Sequence, residues 1–112
     1  MDQSVVLRQV NICEDPSIVL KVSHGDITQD PSTAIVCPAN NFLDFNGGVA
    51  ATIIRKGGSC IMEEAEDIID EIVMLPTGCV EVTLAGRLPC KYIIHAVGPN
   101  MNDPSQLGID KN

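Results

Sequence analysis

Two short apolar runs constrain the fold of this chain more than any other feature of its sequence. Neither Ala34–Cys37 nor Tyr92–Val97 shows the regular alternation of polar and apolar residues that marks a half-exposed strand. Continuously apolar strands are typical of sheets with both faces covered. We therefore predict two central strands, each with packed side chains on both of its faces.

Two segments between these runs have the sequence pattern of helices. Val49–Lys56 begins with alanines, ends with two bases and is followed by two glycines, which is a typical helix ending. The segment from Cys60 to Met74 has apolar residues at the spacing of an amphipathic helix. Its other face is interpreted as a solvated surface rather than a metal site, because it carries six acids and no base. These acids are Glu63, Glu64, Glu66, Asp67, Asp70 and Glu71.

Three further segments are predicted to be strands, namely Val5–Val10, Ile18–Ser23 and Cys79–Ala85. Strands that alternate with helices indicate an α/β domain. The length of 112 residues allows one such domain and not two. We expect a single sheet of about five strands flanked by the two helices.

The charge balance excludes several classes of function. Acids number 15 and bases 7, for a net charge of −8, so general binding to nucleic acid or to anionic lipid is not expected. No apolar run approaches the roughly 18 residues of a membrane span. The first residues lack the basic region of a signal peptide. We expect an intracellular location, in cytoplasm or nucleus.

The five cysteines do not form a recognisable metal or disulfide pattern. They are odd in number and contain no C-x-x-C unit, which disfavours zinc. Cys37, Cys79 and Cys90 have apolar neighbours, so we expect buried free thiols in a reducing compartment. A catalytic thiolate paired with His24 or His95 remains an alternative, although nothing in the sequence places either histidine beside a cysteine.

Polar residues and glycines follow two of the predicted strands and open the first helix. Asp26 could accept a hydrogen bond from an amine, and Asn40 could hold a sugar diol, although both residues also suit turns or helix caps. Gly47 and Gly48 would allow backbone N–H groups at the helix N-terminus to face an oxyanion. The carboxyl ends of strands in α/β sheets are where ligands bind.

Four motifs, taken in order, resemble those of the macro domain, an α/β module that binds ADP-ribose. They are Gly25–Thr28, Ala34–Asn40, Gly47–Ala50 and Gly86–Pro99. The resemblance covers about residues 18–99 and is nearest to the poly-ADP-ribose polymerase and viral branches of the family. It implies a mixed sheet flanked by helices, and a nucleotide ligand.

The resemblance also implies roles for individual residues. The Asp26 carboxylate would accept from the adenine amine, and the Ile27 backbone N–H would reach the adenine ring. Asn40 would hold the distal ribose, and His95 would be structural. The diphosphate and the distal ribose would lie against Gly47, Gly48, Val49 and Ala50.

Several residues differ from the family pattern. Cys37 replaces the first Asn of the family's Asn-Ala-Ala-Asn motif, and Asn46 replaces a common third glycine. Ala50 stands where one hydrolytic branch has Asp, and Phe45 stands where viral hydrolytic members have His. We therefore predict a reader of free or protein-linked ADP-ribose, with no catalytic residue, metal or cofactor. The alternative is a hydrolase that removes ADP-ribose from modified proteins, in which Asn40 would orient the distal ribose.

The resemblance stops before the end that a macro domain should have. We expect residues 1–99 to form a partial macro domain, incomplete at its C-terminus, and residues 100–112 to form a polar tail. A third hypothesis is therefore a truncated fragment that binds nothing. The expected partners are ADP-ribose or an ADP-ribosylated protein, and an uncovered sheet would also favour self-association.

Overall fold

The computed structural model describes residues 4–100, and its elements follow the order that the sequence pattern predicts. The strand Tyr92–Val97 is confirmed to the residue. The second helix ends two residues earlier than predicted, at Ile72, because Val73 has a φ of 73°. The elements are β1 (Val5–Glu14), β2 (Ser17–His24), a 3₁₀ turn (Ile27–Gln29), β3 (Ala34–Ala39), α1 (Gly48–Gly57), α2 (Ser59–Ile72), β4 (Val80–Leu84) and β5 (Tyr92–Val97).

The five strands form two sheets, so the expectation of one sheet was wrong. β1 and β2 pair with each other as an antiparallel hairpin and with no other strand of the described chain. The second sheet has the order β3-β5-β4, with β3 parallel and β4 antiparallel to β5. This second sheet and the two helices are the mixed α/β arrangement that the sequence predicted.

Within residues 4–100, the helices cover one face of the three-stranded sheet and leave the other face open, as expected of a partial macro domain. Ile35, Ile93 and His95 on the inner face are buried, where α1 packs against β3 and α2 against β4. Val36, which points to the opposite face, is 52% exposed. The physical reason is that both described helices lie on the inner face.

The core between the helices and the inner face is built from large aliphatic side chains. Ile53 of α1, Ile61 of α2 and Ile93 of β5 are each at most 1% exposed. Full burial of such a side chain contributes roughly 1.5–3 kcal/mol. Gly58, at a φ of 105°, lets α1 turn directly into α2, and its N–H donates to the Ile54 carbonyl at 2.9 Å.

The acidic face of α2 is largely exposed, as the charge pattern predicts. Glu64 is the half-buried exception, because its carboxylate accepts a hydrogen bond from the Leu84 N–H of β4 at 2.9 Å. This contact fastens α2 to the edge of the sheet. No helix within residues 4–100 is long and apolar enough to cross a membrane.

All five cysteines are free thiols, but their burial differs from the prediction. Cys37 and Cys90 are buried, whereas Cys79, also predicted to be buried, is exposed just before β4. Burial raises the pKa of Cys37 to about 11 and also raises the pKa of Cys90. Neither buried thiol is therefore a ready nucleophile at neutral pH.

Candidate functional site

A cavity of about 240 Å³ lies where β3 ends and α1 begins. We call it the Asn40 cavity. It contains three of the residues predicted for ligand binding, Asn40, Gly47 and Ala50, which the fold brings together from positions up to ten residues apart. The other lining residues are Pro38, Ala39, Leu43, Phe45 and Asn46.

The side chain of Asn40 is already hydrogen-bonded within its own loop. Its amide oxygen accepts from the backbone N–H groups of Phe42 at 3.1 Å and Asp44 at 3.3 Å, and its Nδ2 donates to the Asp44 carboxylate. Asn40 is thus both a turn residue and part of the cavity wall. An amide nitrogen has two hydrogens, so one donor remains for a ligand.

The same loop is tied to the segment that follows α2. The Asn41 Nδ2 donates to the Leu75 carbonyl at 2.9 Å, and the Leu75 N–H donates to the Asn41 carbonyl at 2.8 Å. Leu75 is itself buried. Two hydrogen bonds between Asn41 and Leu75 therefore hold the loop that forms the cavity.

The N-terminus of α1 is open toward this cavity. Gly47 is the N-cap residue and has no side chain to cap the helix, and the first turn contains no acid. The backbone N–H groups and the partial positive charge of such a helix end suit an anion. Gly48 has a φ of 59°, a conformation that glycine adopts at little cost. Gly48 and Val49 begin the helix beside the cavity and do not line it.

Two apolar residues of the cavity wall were not predicted as site residues. Leu43 and Phe45 are both buried, and both have positive φ values, of 50° and 53°. Backbone strain of this kind clusters at ligand sites. The sequence identified Phe45 only as a departure from the family pattern, and nothing in it marked Leu43.

His95 lies behind this wall in the core. Its Nε2 is 2.8 Å from the Thr83 hydroxyl, and its ring meets the Phe45 ring edge to face with centroids 5.4 Å apart. Burial lowers the pKa of His95 to about 4. The predicted structural role of this histidine agrees with its position, and its hydrogen-bond partner is Thr83 rather than a cysteine.

Asp26 and Ile27 lie in a separate cleft of about 200 Å³, which we call the Asp26 cleft. One oxygen of Asp26 caps the 3₁₀ turn, accepting from the Thr28 backbone N–H at 2.9 Å and the Thr28 hydroxyl at 2.7 Å. The other oxygen accepts from Lys56 Nζ at 2.9 Å. The cap that the sequence left open as an alternative is therefore present.

These contacts leave Asp26 ionised and partly available. The hydrogen bond from the Thr28 side chain, followed by those from Lys56 and the Thr28 backbone, lowers the pKa of Asp26 to about 2. A carboxylate offers about four acceptor positions, of which Thr28 and Lys56 use three. One acceptor position thus remains for an amine in the cleft.

The Asn40 cavity and the Asp26 cleft lie at opposite ends of α1. The cavity meets the first turn of the helix, whereas the cleft is joined to the last turn through Lys56. From Gly48 to Lys56 the helix rises about 12 Å, at 1.5 Å per residue. A single ligand that contacts both places would have to reach from one end of α1 toward the other.

Comparison with known proteins identifies the class to which this arrangement belongs. The sequence model of the Macro domain family matches residues 36–111, which include the Asn40 cavity, all of α1 and the three-stranded sheet except Ala34 and Ile35 at the start of β3. The chain belongs to the macro domain family.

Solved structures agree with this assignment. An Oceanobacillus iheyensis macrodomain with ADP superimposes with a TM-score of 0.79 at 31% identity, over 96% of this chain and 55% of that one. A Trypanosoma brucei macrodomain in complex with ADP-ribose superimposes with a TM-score of 0.54 at 33% identity, over 60% of this chain and 27% of that one.

Among curated relatives, an uncharacterised protein of Sulfurisphaera tokodaii is 46% identical over 82 residues. The match includes 73% of this chain and 45% of the relative. The chain thus spans less than half the length of that relative, and similar shares of two others, from Pyrobaculum aerophilum and Saccharolobus solfataricus.

Proposed function

We propose that this chain binds ADP-ribose, free or attached to protein, as a reader module. The observation that carries the proposal is the spacing of the two sites along α1. The Asp26 cleft offers an acceptor for a base amine, and the Asn40 cavity offers helix N–H groups and an amide for a phosphate-linked sugar. ADP-ribose has an amine-bearing base at one end, a distal ribose at the other and a diphosphate between them.

The ligands of the solved macrodomains support this proposal, because the Oceanobacillus iheyensis structure contains ADP and the Trypanosoma brucei structure contains ADP-ribose. The positions of Asp26, Ile27, Asn40, Gly47 and Ala50 at the two sites are compatible with the roles that the family resemblance implies. Gly48 and Val49 would act from the first turn of α1, beside the diphosphate.

The lining of the Asn40 cavity favours a reader over a hydrolase. Its polar side chains belong to Asn40 and Asn46, and neither titrates in the range that general acid or base catalysis requires. Ala50 and Phe45 line this cavity. By the family resemblance, Ala50 stands where one hydrolytic branch has Asp, and Phe45 stands where viral hydrolytic members have His. In a hydrolase, the attacking water would have to be activated by the ligand itself or by a residue outside this cavity.

Calorimetry with ADP-ribose and AMP tests the proposal. Only a ligand that reaches both sites gains from both, so we expect ADP-ribose to bind at least tenfold more tightly than AMP. Equal affinity for the two ligands would contradict the two-site arrangement. Absence of binding by either would favour the hypothesis of a non-binding fragment.

A matched pair of variants tests the Asp26 cleft. A hydrogen bond to a charged acceptor contributes roughly 1.5–3 kcal/mol, so Asp26→Ala should weaken ADP-ribose about ten- to hundredfold. Asp70→Ala removes the same side chain and charge from the exposed face of α2, and should leave affinity unchanged. If Asp26→Ala instead abolished folding in a thermal melt, Asp26 would be a structural turn residue only.

A release assay separates reader from hydrolase. Incubation with a mono-ADP-ribosylated protein should leave the modification in place, with free ADP-ribose measured by chromatography. Robust release that is lost in Asn40→Ala would overturn the reader assignment in favour of the hydrolase.

A further inference from the structure

The carboxylate of Asp44 lies next to the Asn40 cavity without lining it. It accepts a hydrogen bond from the Nδ2 of Asn40, and the Asp44 backbone N–H donates to the Asn40 amide oxygen at 3.3 Å. Asn40 itself is part of the cavity wall. A negative charge is therefore held one hydrogen bond away from an amide that faces the cavity.

The hydrogen bonds of Asn40 restrict how its side chain can contact a ligand. The amide oxygen already accepts from two backbone N–H groups, those of Phe42 and Asp44, which fills both of its acceptor positions. The group that remains is the second hydrogen on Nδ2. Asn40 can therefore only donate to a ligand oxygen, and the amide alone does not distinguish a hydroxyl oxygen from a phosphate oxygen.

The charge of Asp44 supplies the distinction that the amide lacks. The two hydrogens of an amide nitrogen point about 120° apart, and each N–H···O bond spans about 2.9 Å, so a ligand oxygen bound to Asn40 lies about 5 Å from the Asp44 carboxylate. At that distance a carboxylate repels a phosphate, whereas it does not repel a neutral hydroxyl. Asp44 is exposed, so water and salt weaken this repulsion without removing it.

No side chain of the described chain neutralises this charge. Within residues 4–100 the structure contains one ion pair, which joins Lys56 to Asp26, and the residues that line the cavity are all uncharged. The N-terminus of α1 at Gly47 suits an anion. The cavity thus favours an anion at Gly47 and disfavours one at Asn40.

We propose that Asp44 is a specificity-determining residue, which makes the Asn40 cavity accept a nucleoside diphosphate that ends in a neutral sugar and reject a nucleoside triphosphate. The proposal rests on the proposed function, because it takes ADP-ribose as the ligand. ADP-ribose and ATP share the base, the first ribose and two phosphates. They differ in the group beyond the diphosphate, which is an uncharged ribose in one and a third phosphate in the other.

Calorimetry with ADP, ADP-ribose and ATP in magnesium-free buffer tests the proposal. ADP is the reference, because it lacks any group beyond the diphosphate. The wild type should bind ADP-ribose more tightly than ADP, and ATP more weakly than ADP. Asp44→Asn should raise the affinity for ATP relative to ADP by about tenfold, because it removes one unit of charge about 5 Å from the third phosphate.

Three variants separate the charge of Asp44 from its structural role. Asp44→Asn keeps an oxygen that can accept from Asn40, so the affinity for ADP-ribose relative to ADP should change less than about threefold. Asp44→Glu keeps the charge and should retain the rejection of ATP. Asp67→Asn makes the same change on the exposed face of α2 and should alter neither ratio. A thermal melt of each variant confirms that it is folded.

The dependence on salt provides a readout that a purely structural role would not change. The Debye length falls as salt rises from about 50 mM to about 500 mM, so the repulsion between Asp44 and a third phosphate weakens. The difference in relative ATP affinity between the wild type and Asp44→Asn should therefore shrink over this range. A difference that stays constant would mean that shape rather than charge excludes ATP, and would overturn the proposal.

The remaining outcomes distinguish a failure of this proposal from a failure of the proposed function. If the wild type bound none of the three nucleotides, the proposed function and the role of Asp44 would both be wrong. If the wild type bound ADP-ribose and Asp44→Asn left the ratio of ATP to ADP affinity unchanged, only the role of Asp44 would be wrong. An equal change in Asp67→Asn would assign the effect to the net charge of the chain and would also overturn the proposal.

Discussion

Ile35 and Val36 are neighbours in the same strand and similar in chemistry, yet they lie in opposite environments. Ile35 is buried under α1, whereas Val36 points to the opposite face of the sheet and is exposed. A weaker form of this contrast separates Ile93, which is buried, from Ile94, which is half-buried, along β5. Apolar character therefore decides which residues can be buried, and the presence of a covering element decides which of them are. In a strand, consecutive residues can therefore differ in whether they are buried or exposed.

Truncation of one residue on each face gives the largest expected contrast. Ile93→Ala should lower the free energy of unfolding by about 2–5 kcal/mol, because it empties space in a packed core. Val36→Ala should cost less than about 1 kcal/mol in dilute monomer, where its side chain is half in water. Denaturant unfolding by circular dichroism measures both. Equal losses would show that the face of the sheet that carries Val36 is covered in solution.

The inner face should also make stability depend on pH through His95. Its pKa in the folded chain is about 4, against 6.5 for an ordinary histidine. Below pH 6.5 the unfolded chain therefore binds a proton at His95, whereas the folded chain does not bind it until the pH approaches 4. Stability should fall by about 3 kcal/mol as the pH drops from 7 to 4 through this group alone.

The variant His95→Gln isolates this effect. Comparison of its unfolding free energy with the wild type at each pH cancels the titration of the exposed acids, which both proteins share. The difference between the two should narrow as the pH falls toward 4. A constant difference would mean that His95 does not titrate in this range.

A single hydrogen bond on the inner face gives a smaller effect. Thr83→Val keeps the shape of the side chain and removes the hydroxyl from His95, which leaves the buried Nε2 without its partner. The expected loss is about 1–3 kcal/mol. Val82→Thr adds a hydroxyl one residue away on the opposite, exposed face of the sheet, where water solvates it, and should change the free energy of unfolding by less than about 0.5 kcal/mol.

The smallest effect is expected at the exposed ion pair. Because Lys56 lowers the pKa of Asp26, Lys56→Met should raise that pKa from about 2 toward 3.8, and Thr28→Val should raise it further, since the Thr28 hydroxyl is the larger cause. Titration of the Asp26 carboxyl carbon by NMR measures both shifts. The stability that this network provides is present above pH 3.8 and is lost as the pH falls through 2.

Most of the local structure could be predicted from the sequence, because local chemistry determines it. The glycines after Lys56 end α1, and the turn residues around Asp15 separate β1 from β2 as expected. The division into two sheets could not be predicted, since strand pairing depends on which edges meet in space. Which residues of β3 lie on the covered face was equally hidden, because Val36 and Ile35 look alike in the sequence.

About as much of the candidate site as of the fold could be predicted from the sequence. The motifs identified Asn40, Gly47 and Ala50, which the fold brings to one cavity, and Asp26, which it places at a different one. The sequence left open that the side chains of Asn40 and Asp26 would form hydrogen bonds in turns or caps, as they do, but it did not reveal their bonds to more distant side chains. Those partners, Asp44 and Lys56, were recognisable only once the loop and the helix had positions.

The two hydrogen bonds between Asn41 and Leu75 affect the rate at which any ligand binds to the Asn40 cavity. Since the loop is fixed before a ligand arrives, little of it has to be ordered during the encounter, and association should proceed at the ordinary rate for a preformed pocket. Ligands that differ only in how well they fill the cavity would then arrive equally fast. Their affinities would differ through the time that each one stays bound.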